Sequence, residues 1–172
     1  MLLTPRKLAF LGLLLAFDVL LIILSGVFEF NTLFLLAAAS FCVGIAIRES
    51  GKRMGFAFYL AGLLLGLILA PNKIYCITYA AMGLYILIFE FAQDKLMYVK
   101  NMGNRLKLLW AVKFIAFNLM FIPLLIISPQ LIYSGKLNML LYLILFIGGQ
   151  VAFYIYDMAY IYFQGMVWGR MR

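Results

Sequence analysis

The chain has no histidine among its 172 residues and only six acidic side chains against fourteen Lys and Arg. Without imidazole there is no His-assisted nucleophile and no imidazole metal ligand. Cysteine is almost as scarce. Cys42 and Cys76 fall in different apolar runs at different expected depths, so neither a paired-thiolate metal site nor a disulfide framework is implied. Of four prolines, only Pro123 lies well inside an apolar run. No Gly-rich phosphate loop, no GxSxG elbow and no pair of acidic residues within one apolar run is present. These absences remove an ATP-hydrolysing engine from this polypeptide and make an enzyme the weakest reading. No metal and no cofactor is expected.

Charge itself is sparse, at 12% of residues, while 67% are hydrophobic. Soluble domains are about one quarter charged and about half apolar. A bilayer-crossing helix needs roughly 20 mostly apolar residues, and such runs recur at about 8–25, 30–47, 55–70, 74–93, 107–127 and 138–163. No period-2 alternation marks a membrane barrel, so helices are the remaining way to satisfy the backbone in hydrocarbon. The sequence predicts an all-α, multi-pass integral membrane protein, one domain of six helices over residues 1–172.

The basic residues set the expected orientation, because short cytoplasmic loops retain Lys and Arg. Arg6, Lys7, Arg48, Lys52, Arg53, Lys95, Lys100, Arg105, Lys107, Arg170 and Arg172 all fall on one side of the six-helix plan. The other side holds only Lys73 and Lys136, and Lys113 is within a run. Both termini are therefore expected in the cytoplasm. This rule accounts for the +8 charge, with anionic lipid headgroups rather than nucleic acid as the partner. The opening "PRKLAFLGLLLAF" has the basic start of a signal peptide, but its apolar run continues to Leu24 and carries Asp18, so it reads as helix 1.

Polar groups placed in hydrocarbon are the candidates for function, since each charge costs about 2.5–3.5 kcal/mol to insert. Asp18 falls near the middle of helix 1, and Glu90, Lys113 and Asp157 share a depth in the cytoplasmic half of helices 4, 5 and 6. Lys113 can pair with Glu90 or Asp157, as a clamp between helices or as part of a proton or ion relay. Asn118 and Gln150 read either as an interhelical hydrogen-bond pair or, for Gln150, as a ligand contact.

Small residues form stripes on two helices: Ala9, Gly12 and Ala16 on helix 1, and Gly62, Gly66 and Ala70 on helix 3. Close backbone approach drives helix association in lipid, so one stripe can serve the bundle and leave the other for an external partner. Between helices 3 and 4, "APNK" supplies Pro71 to end a helix and Asn72 for a tight reversal. Neither accounts for Lys73, a cation against the charge trend. Tyr75, Tyr79 and Tyr85 follow it on helix 4, Tyr142 and Tyr154 lie on helix 6, and Glu29, Phe30 and Asn31 occupy another outer turn. Tyrosines with a few amides and one cation are the ingredients of a small-molecule cavity at the outer face.

Six helices, both ends inside, the "PRKLAFLGLLLA" opening and the absence of an ATPase make the chain resemble the substrate-binding S components of energy-coupling factor vitamin transporters. The resemblance implies that Ala9, Gly12 and Ala16 dock on a transmembrane coupling subunit, with Gly in place of one Ala of the family's stripe. It implies two separate ATPase subunits as the power source and a vitamin-like micronutrient as the small-molecule substrate. The implied ligand contacts are Glu29, Asn31, Asn72, Lys73, Tyr75, Tyr79, Gln150 and Tyr154, in the cytoplasmic membrane of a bacterium. The loop after helix 1, "SGVFEFN", is shorter than the lid the family often carries. Two other classes stay open: a scaffold or accessory subunit that binds a partner helix, and an ion-coupled carrier using Asp18, Glu90, Lys113 and Asp157.

Overall fold

Each apolar run forms a helix, a conformation that satisfies every backbone N–H and C=O within its own segment, as hydrocarbon would require. A computed structural model describes residues 4–98, 101–127 and 139–169. The helices are α1 Pro5–Val27, α2 Thr32–Ser50, α3 Lys52–Leu69, α4 Lys73–Leu96, α5 Met102–Ile127 and α6 Met139–Tyr162. A 3₁₀ turn, Glu29–Asn31, joins α1 to α2, and a π turn, Phe163–Trp168, follows α6. The described residues contain no strand. All six helices are long and apolar enough to cross a membrane, as in a multi-pass membrane protein. Helix α5 begins at Met102 rather than at 107, because Arg and Lys stems remain helical while their heads reach a polar medium. Lys100, Lys136, Arg170 and Arg172 lie outside the described residues.

The chain divides into two compact units, Met1–Leu109 and Trp110–Arg172. In the first, α1 to α4 run alternately up and down. Lys7 at the start of α1 donates to the Glu49 carbonyl at the end of α2, 2.9 Å away. At the same end Arg48 of α2 meets Glu90 of α4 at 2.7 Å, and Lys52 of α3 meets Asp94 of α4 at 2.9 Å. At the opposite end Pro71, in the α3–α4 turn, rests against Gly26 of α1, where a Cβ would lie 2.7 Å from its ring. Helix α2 is central, buried continuously from Ala39 to Ile47. Its junction with α3 turns on Gly51, whose φ of +86° belongs to a region that side chains disfavour.

The α3 stripe lies inside this unit. Gly62 sits against Asp18 and Tyr79, and Gly66 against Ile22 and Cys76. The α1 stripe does not: Ala9, Gly12 and Ala16 are all exposed, and a Cβ on Gly12 would meet nothing within 4 Å. Of the two stripes the sequence offers, α3 thus serves internal packing and α1 faces outward.

In the second unit α5 and α6 form an antiparallel pair held by ring packing. Trp110 stacks on Tyr154 with centroids 6.2 Å apart, Phe117 on Phe153 at 4.4 Å, and Gly149 makes room for the Phe121 ring. These contacts run in opposite order along the two helices, and Lys113 with Asp157 continues the series one turn before Phe117 on α5 and one turn after Phe153 on α6.

Candidate functional site

The four charges within the apolar helices separate into three arrangements. Lys113 donates to Asp157 at 2.8 Å with side chains 3% and 0% exposed, and its ammonium also lies 5.1 Å from the Trp110 ring centroid. Of the two acids that the sequence leaves open as its partner, Asp157 forms this pair. Glu90 is instead bound by Arg48, whose Nε and Nη2 both donate to Oε1, at 3.0 and 2.7 Å. Arg48 reads in the sequence as a loop charge. The signal for its true role is a spacing: Arg48 and Lys52 flank the α2–α3 junction four residues apart, and Glu90 and Asp94 are one turn apart on α4, so two pairs stack along one edge of α4. The outer of these, Lys52–Asp94, is partly exposed and worth about 0.2–1 kcal/mol at most.

Asp18 is different. Its side chain is fully buried, Tyr79 donates to Oδ2 at 2.8 Å, and Oδ1 has no hydrogen-bond partner among the described residues. Among the described residues no Lys or Arg forms an ion pair with it. Tyr79 is placed by its own packing: it stacks on Tyr59 at 6.2 Å, and the Tyr59 hydroxyl donates to the Ala80 carbonyl at 2.9 Å. A hydrogen bond to a charged group contributes about 1.5–3 kcal/mol, whereas the idealised cost of carrying a carboxylate into a medium of low dielectric is about 20 kcal/mol.

The outer-face residues are distributed among several tasks. Tyr79 is fully buried against Asp18 and walls no outer mouth. Asn72 caps α4, accepting from the Ile74 N–H at 3.1 Å. Lys73 donates to the Leu67 carbonyl at 2.6 Å, satisfying one of the last carbonyls of α3. This gives a structural reason for a cation on the sparsely charged side. Tyr75 is half-buried with an edge near Gly26, Asn31 is exposed at the start of α2, and the Glu29 side chain lies outside what is described. In the second unit Gln150 donates to Asn118 at 2.9 Å and keeps Oε1 unpartnered, while Tyr154 is half exposed on Trp110. If Lys73 acts as a helix cap, Lys73→Met will lower stability by about 0.5–1.5 kcal/mol and lower the thermal unfolding midpoint in detergent. An unchanged midpoint together with weaker binding of an anionic solute would assign it to a ligand instead.

One concave surface collects residues that the sequence singles out. It is an open apolar groove of about 510 Å³, lined by Gly12, Ala16, Leu20 and Ile23 of α1 and by Leu65 and Leu69 of α3. The stripe on α1 signals it in the sequence; the α3 leucines do not stand out there, because they are ordinary members of an apolar run. No group of His, Cys, Asp or Glu among the described residues is placed to hold a metal ion. No protein-family model, no curated protein and no solved structure matches the chain.

Proposed function

We propose that this chain is a non-catalytic subunit of a membrane assembly that docks sideways, through the small-residue face of α1, onto a transmembrane helix of a partner. The observation that carries this reading is Gly12. It is exposed with open space above it, while the comparable glycines of α3 are packed inside the unit. A glycine in a helix interior costs about 0.5–1 kcal/mol relative to Ala, and in the bilayer such a residue is useful where another backbone approaches closely. Beside it, Leu65 and Leu69 provide a flank against which a partner's side chains can pack.

The fuller form of the proposal follows the resemblance to S components. The partner is then a coupling subunit served by two ATPases, the termini are cytoplasmic in a bacterial membrane, and a micronutrient is held at the outer face. The hydrogen bonds of Asn72 and Lys73 within their own turn, and the closure of Tyr79 against Asp18, favour a simpler second form, a scaffold that binds a partner helix and no ligand. Purification from native membranes with mass spectrometry of proteins and small molecules distinguishes them. Gly12→Leu and Ala16→Leu are expected to abolish copurification of the partner while leaving the unfolding midpoint in place. A complex that survives both substitutions would move docking away from α1.

A further inference from the structure

We propose that Asp18 is a proton-binding site in the hydrocarbon interior of the α1–α4 unit, its carboxyl held as the neutral acid beside the Tyr79 hydroxyl. The pattern of pairing sets it apart. Glu90 has Arg48 and Asp157 has Lys113, whereas Asp18 is as deeply buried as Asp157 and, among the described residues, has one phenol and no cation. A buried carboxylate without a counter-charge takes up a proton, because the neutral form loses far less on leaving water.

Among the described residues, the groups around the carboxyl offer no other means of neutralisation. Cys42 of α2 and Tyr59 of α3 lie within electrostatic reach of the same Tyr79 hydroxyl on α4, and Cys76 of α4 borders the cluster at Gly66. Each of these is neutral, or becomes an anion when it ionises, so none can offset a negative Asp18. A bare metal cation is a poor fit as well. Hard cations of the Ca²⁺ and Mg²⁺ type take about six or more oxygen ligands, and here the hydrogen-bonded oxygens are those of one carboxyl and one phenol. The carboxyl also lies directly on Gly62, where even a methyl group would overlap Oδ2 and the Tyr79 oxygen. A proton needs no coordination shell and no added volume, and Oδ1 is the oxygen left open to it. Its loss would place an anion between α1, α3 and α4 and loosen α1 from the other two.

The test is infrared spectroscopy of the intact protein in lipid nanodiscs at neutral pH, with and without sodium. The wild type is expected to show the carbonyl stretch of a protonated carboxylic acid in both buffers, and Asp18→Asn is expected to lose it. Tyr79→Phe, which removes the hydrogen bond and keeps the ring, should shift the same band to higher frequency, an assignment that holds even if the Asn variant does not fold. A wild type without the band, or a band indifferent to both substitutions, overturns the proposal. A band that appears only when sodium is withdrawn overturns it too, by making a metal cation the occupant.

Discussion

Replacing Lys113 by Met will destabilise the α5–α6 pair by about 3–5 kcal/mol, because it takes the ammonium from a fully buried Asp157 carboxylate. Total stabilities are of order 5–15 kcal/mol, so the single variant will lie near the edge of folding and lower the unfolding midpoint steeply. The double variant Lys113→Met with Asp157→Leu is expected to recover most of that loss, since removing both partners leaves no unpaired charge in the interior. Trp110, whose ring faces the ammonium, and the Phe114–Phe153 contact keep the surrounding packing in place. A double-mutant cycle in detergent measures the coupling directly. Additive losses would mean that Asp157 is not what Lys113 neutralises.

The second large effect separates the two glycine stripes. Gly62→Val will force apart α1, α3 and α4, because its Cβ would overlap the Asp18 carboxyl and lie 2.7 Å from the Tyr79 hydroxyl. Overpacking of this kind costs about 1–3 kcal/mol, and breaking the buried Tyr79–Asp18 bond about 1–3 kcal/mol more. Gly12→Val adds a side chain where nothing lies within 4 Å and will change stability by no more than about 0.5 kcal/mol. Thermal unfolding of the two purified variants gives the contrast. Equal losses would mean that the α1 stripe is packed within the bundle after all, and would remove the basis for docking through it.

Asp18 and Lys73 show why helix positions were easier to read than side-chain roles. Both stand out as polar residues in apolar surroundings, a property of composition. What each touches depends on which helix lies opposite and how it is rotated. Lys73 reaches back six residues to the Leu67 carbonyl, and its turn also contains the α4 cap at Asn72. Tyr79 is one of several tyrosines on α4, and only its placement opposite Asp18 and Gly62 closes it away from an outer mouth. The partner of Glu90 was hidden for a related reason: Arg48 serves the loop-charge rule equally well, and its guanidinium turns back to α4 because that carboxyl is buried there.

The six helices and their approximate limits were determined by the sequence alone, because a backbone in hydrocarbon has one local solution and the length of an apolar run announces it. The scarcity of chemistry-bearing groups was equally plain, since absence of a residue type needs no coordinates. Tertiary structure decided which stripe of small residues faces outward, which acid neutralises Lys113, and which carboxyl is left with no cation. Helical periodicity assigns residues to faces of their own helix, but within lipid all faces are apolar, and the pattern that turns a soluble helix toward its core is missing. Only close contacts between helices, Gly62 against Asp18 and Gly66 against Ile22, fix that rotation.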